Sequence, residues 1–243
     1  MVMNPRPYLK SVSIKDQAEV DWSSYPFSIP AVNGLQSLDF HRDVTFFVGE
    51  NGSGKSTILE AIALALGFSE EGGTKNVKLD TASTSSGLTA HLKLVRSFRK
   101  PKDGYFLRAE SFYNVATYMD ELDYLEGYGG KSIHARSHGE AFMTLLTNKF
   151  RGNGIYLLDE PEAALSPARL MAAISAIHSL VQEESQFIIA THSPILLAYP
   201  NAKILEFSDS GISEVGYEDT EHYRTTKDFL NNYERRISQL IDE

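Results

Sequence analysis

Residues 49–57 read Gly-Glu-Asn-Gly-Ser-Gly-Lys-Ser-Thr, and no other stretch limits so sharply what this chain can fold into. An apolar run from Val44 to Val48 precedes it and reads as a buried strand; Ile58 to Leu66 follows and reads as a helix. Glycines let a backbone fold tightly around an anion, successive N–H groups point inward, and the following helix turns its positive end to the same point. The pattern G-x-x-x-x-G-K-S between a strand and a helix therefore predicts a phosphate-binding loop. Gly49, Glu50, Asn51, Gly52, Ser53 and Gly54 would form the cradle and Lys55 would reach β- and γ-phosphates. Ser56 would place its hydroxyl on Mg²⁺, and Thr57 would hydrogen-bond an α-phosphate. A plain Gly/Ser-rich turn ahead of a helix does not account for the whole pattern.

Two later strand ends carry compatible chemistry. Ile155-Tyr156-Leu157-Leu158 predicts a buried strand, and Asp159-Glu160 stand at its C-terminal end, where α/β sheets bind ligands. Asp159 would hold Mg²⁺, directly or through water, and Glu160 would polarise an attacking water. Phe187-Ile188-Ile189-Ala190 predicts another buried strand that delivers Thr191-His192-Ser193-Pro194, so His192 would emerge on the same edge as Lys55 and Glu160, in reach of a γ-phosphate. Between them, Arg136-Ser137-His138-Gly139-Glu140 opens an apolar helix through Phe150, a second anion-receptive helix start.

The remaining chain is less explicit. Leu9 to Ile14 reads as a strand, and residues 22–30, with Pro26 and Pro30, as an edge strand or irregular piece. Tyr25 or Phe27 could stack on adenine there, or pack beneath a sheet edge. Leu35 to Phe40 and Val44 to Val48 read as two strands around a tight turn at His41-Arg42-Asp43. Ser69 to Gly87 reads as a polar loop or insertion. Leu88, Ala90, Leu92 and Leu94 suggest a strand, with a helix as the alternative. Lys93, Arg96, Arg99, Lys100 and Lys102 crowd into ten residues and form either a nucleic-acid-facing patch or a solvated hairpin tip. Tyr105 to Ala109 reads as a strand ending at Glu110, and Ser111 to Leu125 as a helix. A hairpin at 203–216 and a final helix from about Thr225 follow. The helix's apolar residues Phe229, Leu230, Tyr233, Ile237, Leu240 and Ile241 are expected to dock on the core.

At 243 residues and 42% hydrophobic content the chain suits one large α/β domain. A net charge of -9 means that nucleic acid would need a local basic patch. With no cysteine there is neither a disulfide nor a thiolate metal site. No stretch is long enough to span a membrane, and the first ten residues lack an apolar signal segment, so the expected compartment is the cytoplasm.

Taken together, VTFFVGENGSGKST, FLRAESF, SHGE, YLLDEPEAALSP and IIATHSPILLAYP resemble the ABC-type ATPase superfamily, and more narrowly its small stand-alone AAA/ABC ATPases related to RecF, Rad50 and SMC heads. The resemblance implies an α/β P-loop NTPase fold: a mixed, largely parallel central sheet flanked by helices, with an antiparallel N-terminal β portion. Residues 1–243 would be a single ATPase domain, with 69–136 its insertion and helical, signature-bearing subregion. It implies ATP and Mg²⁺, hydrolysis by Glu160 with His192 and Lys55, and a head-to-tail homodimer in which Ser137 and Gly139 of one subunit cap the γ-phosphate held by the other. Glu110 stands where the superfamily usually has a metal-touching glutamine. His138, Arg136, Glu140 and Ser166 depart from the transporter pattern. Such a switch would act in DNA maintenance or defence, on DNA or through a separate effector such as a nuclease. The alternatives are a nucleotide-binding subunit of a membrane transporter and a slow, ATP-gated effector-binding module.

Overall fold

The computed structural model describes residues 6–15, 20–75, 87–108 and 137–241. In chain order the elements are β1 (Leu9–Ile14), α1 (Pro30–Asn33), β2 (Leu38–Asp39), β3 (Val44–Gly49), α2 (Lys55–Ala65), α3 (Leu88–His91), β4 (Leu92–Arg96) and β5 (Asp103–Arg108). After the undescribed stretch come α4 (His138–Thr144), β6 (Gly154–Asp159), α5 (Pro167–Gln182), β7 (Gln186–Ala190), α6 (Pro194–Leu197), β8 (Lys203–Ser208), β9 (Gly211–Val215), α7 (Glu221–Asn231) and α8 (Tyr233–Ile241).

Six strands form a sheet in the order β5-β6-β7-β3-β8-β9. Its first five strands are parallel, and β9 returns antiparallel on β8. All six residues of β3 and all five of β7 are buried, as expected for strands covered on both faces. Side chains alternate between two cores. Phe46, Tyr156, Leu158 and Ile189 pack with α4 and α5, whereas Phe47, Leu157, Ile188 and Leu205 pack with α2 and the N-terminal residues. Burying each large ring, such as Phe46, Phe47 or Phe187, stabilises the fold by roughly 1.5–3 kcal/mol. A separate antiparallel sheet, β2-β1-β4, supplies the expected N-terminal β portion.

Several sequence expectations change. The segments around His41-Arg42-Asp43 do not form a hairpin: β2 pairs with β1 and β3 with β7 and β8, so the turn passes the chain between sheets. His41 Nδ1 holds that passage by accepting from the N–H groups of Asp43 (3.2 Å) and Val44 (3.4 Å). Residues 88–94 divide into a helical turn and a strand. The stretch from 22 to 29 is irregular and leads into α1, whose Pro30 at the first turn suits a helix start. The hairpin at 203–216 is present as β8–β9.

The C-terminal apolar face is not docked. Phe229, Leu230, Tyr233, Ile237, Leu240 and Ile241 are all exposed, along two helices broken at Asn232. Asn232 donates its side-chain amide to the carbonyl and side chain of Asp228, which ends α7 one residue before α8 begins. The apolar spacing was that of an amphipathic helix, which marks a face without stating what covers it. Glu110 and the helix read over 111–125 lie outside the described residues, as does most of the 69–87 segment. No helix among the described residues is long and apolar enough to cross a membrane.

Candidate functional site

The loop leaves β3 at Gly49 and enters α2 at Lys55, with Gly49, Gly52 and Gly54 all at positive φ. Lys55 is buried, and its Nζ donates to the carbonyls of Gly49 (2.8 Å) and Glu50 (2.9 Å). Burial pulls this ammonium below its ordinary pKa, and the carboxylates of Glu160 and Asp159 oppose the shift. Ser53 Oγ is buried without a hydrogen-bond partner among the described residues. A desolvated ammonium beside an unsatisfied hydroxyl is the electrostatic form of an anion cradle. Beside the loop, a cleft of about 700 Å³ runs along Gly49 to Ser53 and is faced by Glu206, Asp209 and Arg224.

Helix α2 turns Ser56 toward the end of β6, and its Oγ donates to Asp159 Oδ1 at 2.9 Å. Two hard oxygen donors on neighbouring elements fit Mg²⁺, which takes one or two protein oxygens and completes its shell with phosphate and water. Among the described residues no group of three or more His, Cys, Asp or Glu side chains makes a self-sufficient metal cage.

Glu160 follows β6 directly. Its N–H donates to Ala190 of β7 at 3.0 Å, and its φ of 49° is left-handed. For a non-glycine residue this conformation costs of order 1–3 kcal/mol, a strain that clusters at functional sites. The turn brings Glu160 Oε1 to 3.6 Å from His192 Nε2. Burial lowers the His192 pKa, with Lys55 and His222 adding to the effect and Glu160 opposing it.

The structure thus brings Lys55, Ser56, Asp159, Glu160 and His192 to one edge of the sheet. Ser137 and Gly139 sit elsewhere, at the start of α4. Ser137 caps that helix through a reciprocal pair with Glu140, accepting from Glu140 N–H (3.4 Å) while its own N–H donates to Glu140 Oε2 (2.9 Å). Arg169 donates to Ser137 Oγ at 3.2 Å. Ser137 is exposed and Gly139 buried. Phe27 is buried in edge contact with Trp22 and His91, which favours packing over stacking; Tyr25 is 71% exposed.

Two residues were not singled out from the sequence. Glu162 accepts from the His192 N–H at 2.5 Å, and burial raises its pKa. His222, on α7, lies 2.8 Å from His192 Nδ1 through its Nε2. Glu162 had a weak signal as a third carboxylate close behind Asp159-Glu160. His222 had none, since it lies in the polar stretch between the hairpin at 203–216 and the final helix read from about Thr225.

Strand, glycine loop, helix and the flanking strand ends define a phosphate-loop NTPase fold. Comparison with known proteins agrees. Residues 24–134 match a family model described as "AAA domain", and residues 140–198 one described as "AAA domain, putative AbiEii toxin, Type IV TA system". A "Putative ABC transporter ATP-binding protein" of Pyrococcus furiosus is 26% identical over 80% of this chain and 80% of its own length. One of the same name from Methanothermobacter thermautotrophicus is 27% identical over 79% of this chain and 75% of its own. Among solved structures, an SMC head bound to the C-terminal winged-helix domain of ScpA overlays with a TM-score of 0.48 at 16% identity, covering 86% of this chain and 98% of that one. The SMC head domain of Thermotoga maritima gives 0.44 at 16% identity, with 85% and 98% covered. The two family models and the archaeal relatives are of the AAA/ABC ATPase kind that the motifs resemble.

Proposed function

We propose that this chain is a single ATPase domain that binds and hydrolyses ATP, and that ATP joins two copies head to tail as a switch. One observation carries the hydrolytic reading: Ser56 and Asp159 meet at 2.9 Å, and Glu160 and His192 at 3.6 Å, on the sheet edge where buried Lys55 ends the loop. Lys55 and the loop N–H groups hold the triphosphate. Ser56 and Asp159 would hold Mg²⁺, which would supply positive charge to offset that of the phosphates. Glu160 orients and deprotonates the attacking water, and His192 donates to the γ-phosphate.

The exposed start of α4 supports the dimer reading. Ser137 is exposed at the start of α4, where its Oγ accepts from the Glu140 N–H and from Arg169. A second copy supplying Ser137 and Gly139 would complete the γ-phosphate shell. Glu160→Gln should keep ATP binding and lower turnover about 10²–10⁴-fold. By light scattering, this variant should double in mass only with Mg-ATP, and Ser137→Arg should abolish the doubling. Full turnover by Glu160→Gln would remove Glu160 from its role, and a monomer at saturating ATP would remove the switch.

DNA is the proposed partner of the basic stretch, in maintenance or defence and with a separate effector such as a nuclease. Arg99 is committed to Glu184 (3.0 Å) and Asn153 (2.5 Å), and Arg96 to the carbonyl of Ala65 (2.7 Å). Lys93, Lys100 and Lys102 remain exposed. Reversing those three charges should flatten the salt dependence of DNA binding, by about 0.9 in log–log slope for each phosphate no longer neutralised. An unchanged slope would place the DNA-binding surface elsewhere. The names of the archaeal relatives favour a second reading, a transporter's ATP-binding subunit; co-purification with a multi-span membrane protein would support it over the first.

A further inference from the structure

His192 and His222 form a hydrogen-bonded pair. His192 Nδ1 and His222 Nε2 are 2.8 Å apart, with ring centroids at 4.9 Å and planes inclined by 54°. At that separation only one nitrogen of the pair carries a hydrogen and the other must present its lone pair. The two remaining nitrogens, His192 Nε2 and His222 Nδ1, are buried without hydrogen-bond partners among the described residues. The tautomers are therefore set inside the pair rather than by solvent.

The surroundings decide which ring donates. His192 Nε2 faces Glu160 Oε1 at 3.6 Å. If neutral His192 supplied the shared hydrogen from Nδ1, its Nε2 lone pair would face a carboxylate oxygen, lone pair against lone pair. If His222 supplies it, His192 carries its own hydrogen on Nε2 and presents N–H to the carboxylate. A doubly protonated His192 is disfavoured by burial and by nearby Lys55.

We infer that His222 is a positioning residue for His192, donating from Nε2–H to His192 Nδ1 and so fixing the tautomer that carries N–H at Nε2. This rests on the proposed role of His192, which needs a donor at that nitrogen. Without His222, the Nδ1 acceptor loses the partner that holds it and the ring is free to adopt the tautomer with a bare Nε2.

The place of His222 is built rather than incidental. It is the second residue of α7, whose cap, Thr220, is fully buried and accepts from the Tyr223 N–H at 3.3 Å. Thr220 Oγ1 also donates to the Tyr217 carbonyl at 2.8 Å, and Tyr217 OH donates to the Pro194 carbonyl at 3.0 Å, two residues beyond His192. Both histidines are thus tied to one short frame. From the other side, Glu162 fixes the His192 backbone N–H.

The test uses the full chain. In two-dimensional ¹⁵N spectra of the histidine side chains, without nucleotide, His192 should show protonated Nε2 and bare Nδ1. His222→Gln keeps an N–H donor at similar reach and should preserve that pattern. His222→Glu offers only an acceptor and should move the His192 hydrogen to Nδ1 or charge the ring. Steady-state ATP hydrolysis should follow: kcat falls roughly 10–100-fold in His222→Glu, the size expected when a partner that fixes a histidine tautomer is removed, with KM little changed and with recovery in His222→Gln. A wild-type His192 protonated at Nδ1, or a His222→Glu variant with unchanged tautomer and kcat, overturns the inference. His192→Ala separates the two levels: full turnover in that variant ends the phosphate role of His192, whereas the spectra judge the tautomer assignment directly.

Discussion

Replacing Gly49 by alanine should unfold this protein far more readily than the same change at Gly52, although both are loop glycines at positive φ, +142° and +82°. A Cβ on Gly49 would run into the backbone carbonyl of Phe207, its parallel partner on β8. That carbonyl cannot swing aside as a side chain could, so two central strands must separate. A Cβ on Gly52 meets no described atom within 4 Å. Both variants bear the backbone strain of a side chain at positive φ, about 1–3 kcal/mol, and only Gly49→Ala adds an overpacking cost of about 1–3 kcal/mol. The sum, about 2–6 kcal/mol, is a large part of a typical 5–15 kcal/mol stability. For a chain of this size it lowers Tm by roughly 4–24 °C. Urea unfolding followed by circular dichroism, with the slope checked for constancy, measures the difference between the two variants. Coincident midpoints would refute the packing argument and leave Gly49 as a purely conformational glycine.

Two further outcomes follow from buried charge at the site. Lys55→Ala should abolish ATP binding, measured by calorimetry, while changing apo stability little, because the lost hydrogen bonds to Gly49 and Glu50 and the lost attraction to Glu160 and Asp159 are offset by relief of the ammonium's desolvation. Glu162 has a folded pKa raised by burial above its ordinary 4.5. Its contribution to stability is therefore fully present below that value and is lost as pH rises through the raised one. Glu162→Gln keeps an oxygen to accept from the His192 N–H. It should be more stable than the parent near neutral pH, with the advantage vanishing in acid; a difference independent of pH would contradict the assignment.

The chemistry of the site was legible wherever it was local. The loop from Gly49 to Thr57, the strand end at Asp159-Glu160 and that at Thr191-His192 each pair an apolar run with polar residues at its C-terminal end, and such a pattern is written in adjacent letters. Reading failed where meaning depended on distant partners. Leu38-Asp39 looked like the first arm of a hairpin because pairing cannot be read from a run of apolar residues; its partner is Ser11-Val12, nearly thirty residues earlier. The basic cluster around Arg99 read as either a nucleic-acid-facing patch or a solvated hairpin tip, and nothing in its sequence showed that Arg99 pairs with Glu184 and Asn153. The final helix looked docked because an amphipathic stripe is equally amphipathic when bare.

Strand order explains how Lys55, Ser56, Asp159, Glu160 and His192 nonetheless meet at one edge. β7 lies between β3 and β6, so the loop strand and the carboxylate strand are two spacings, about 10 Å, apart. Sequence order gives no hint of this insertion, because all three strands are apolar and buried. Yet the parallel register makes their C-terminal ends share one edge whatever the order, and that was the only premise the reading needed. The loop then spans the gap: it lifts the chain off β3, and the first turn of α2 carries Ser56 over to Asp159. His192, issuing from the middle strand, has the loop on one side and Glu160 on the other. Its outer nitrogen is spoken for by a helix added thirty residues later. That pairing depends on where β8, β9 and the turn at Tyr217–Asp219 deliver the chain, which is why no local pattern could have announced His222.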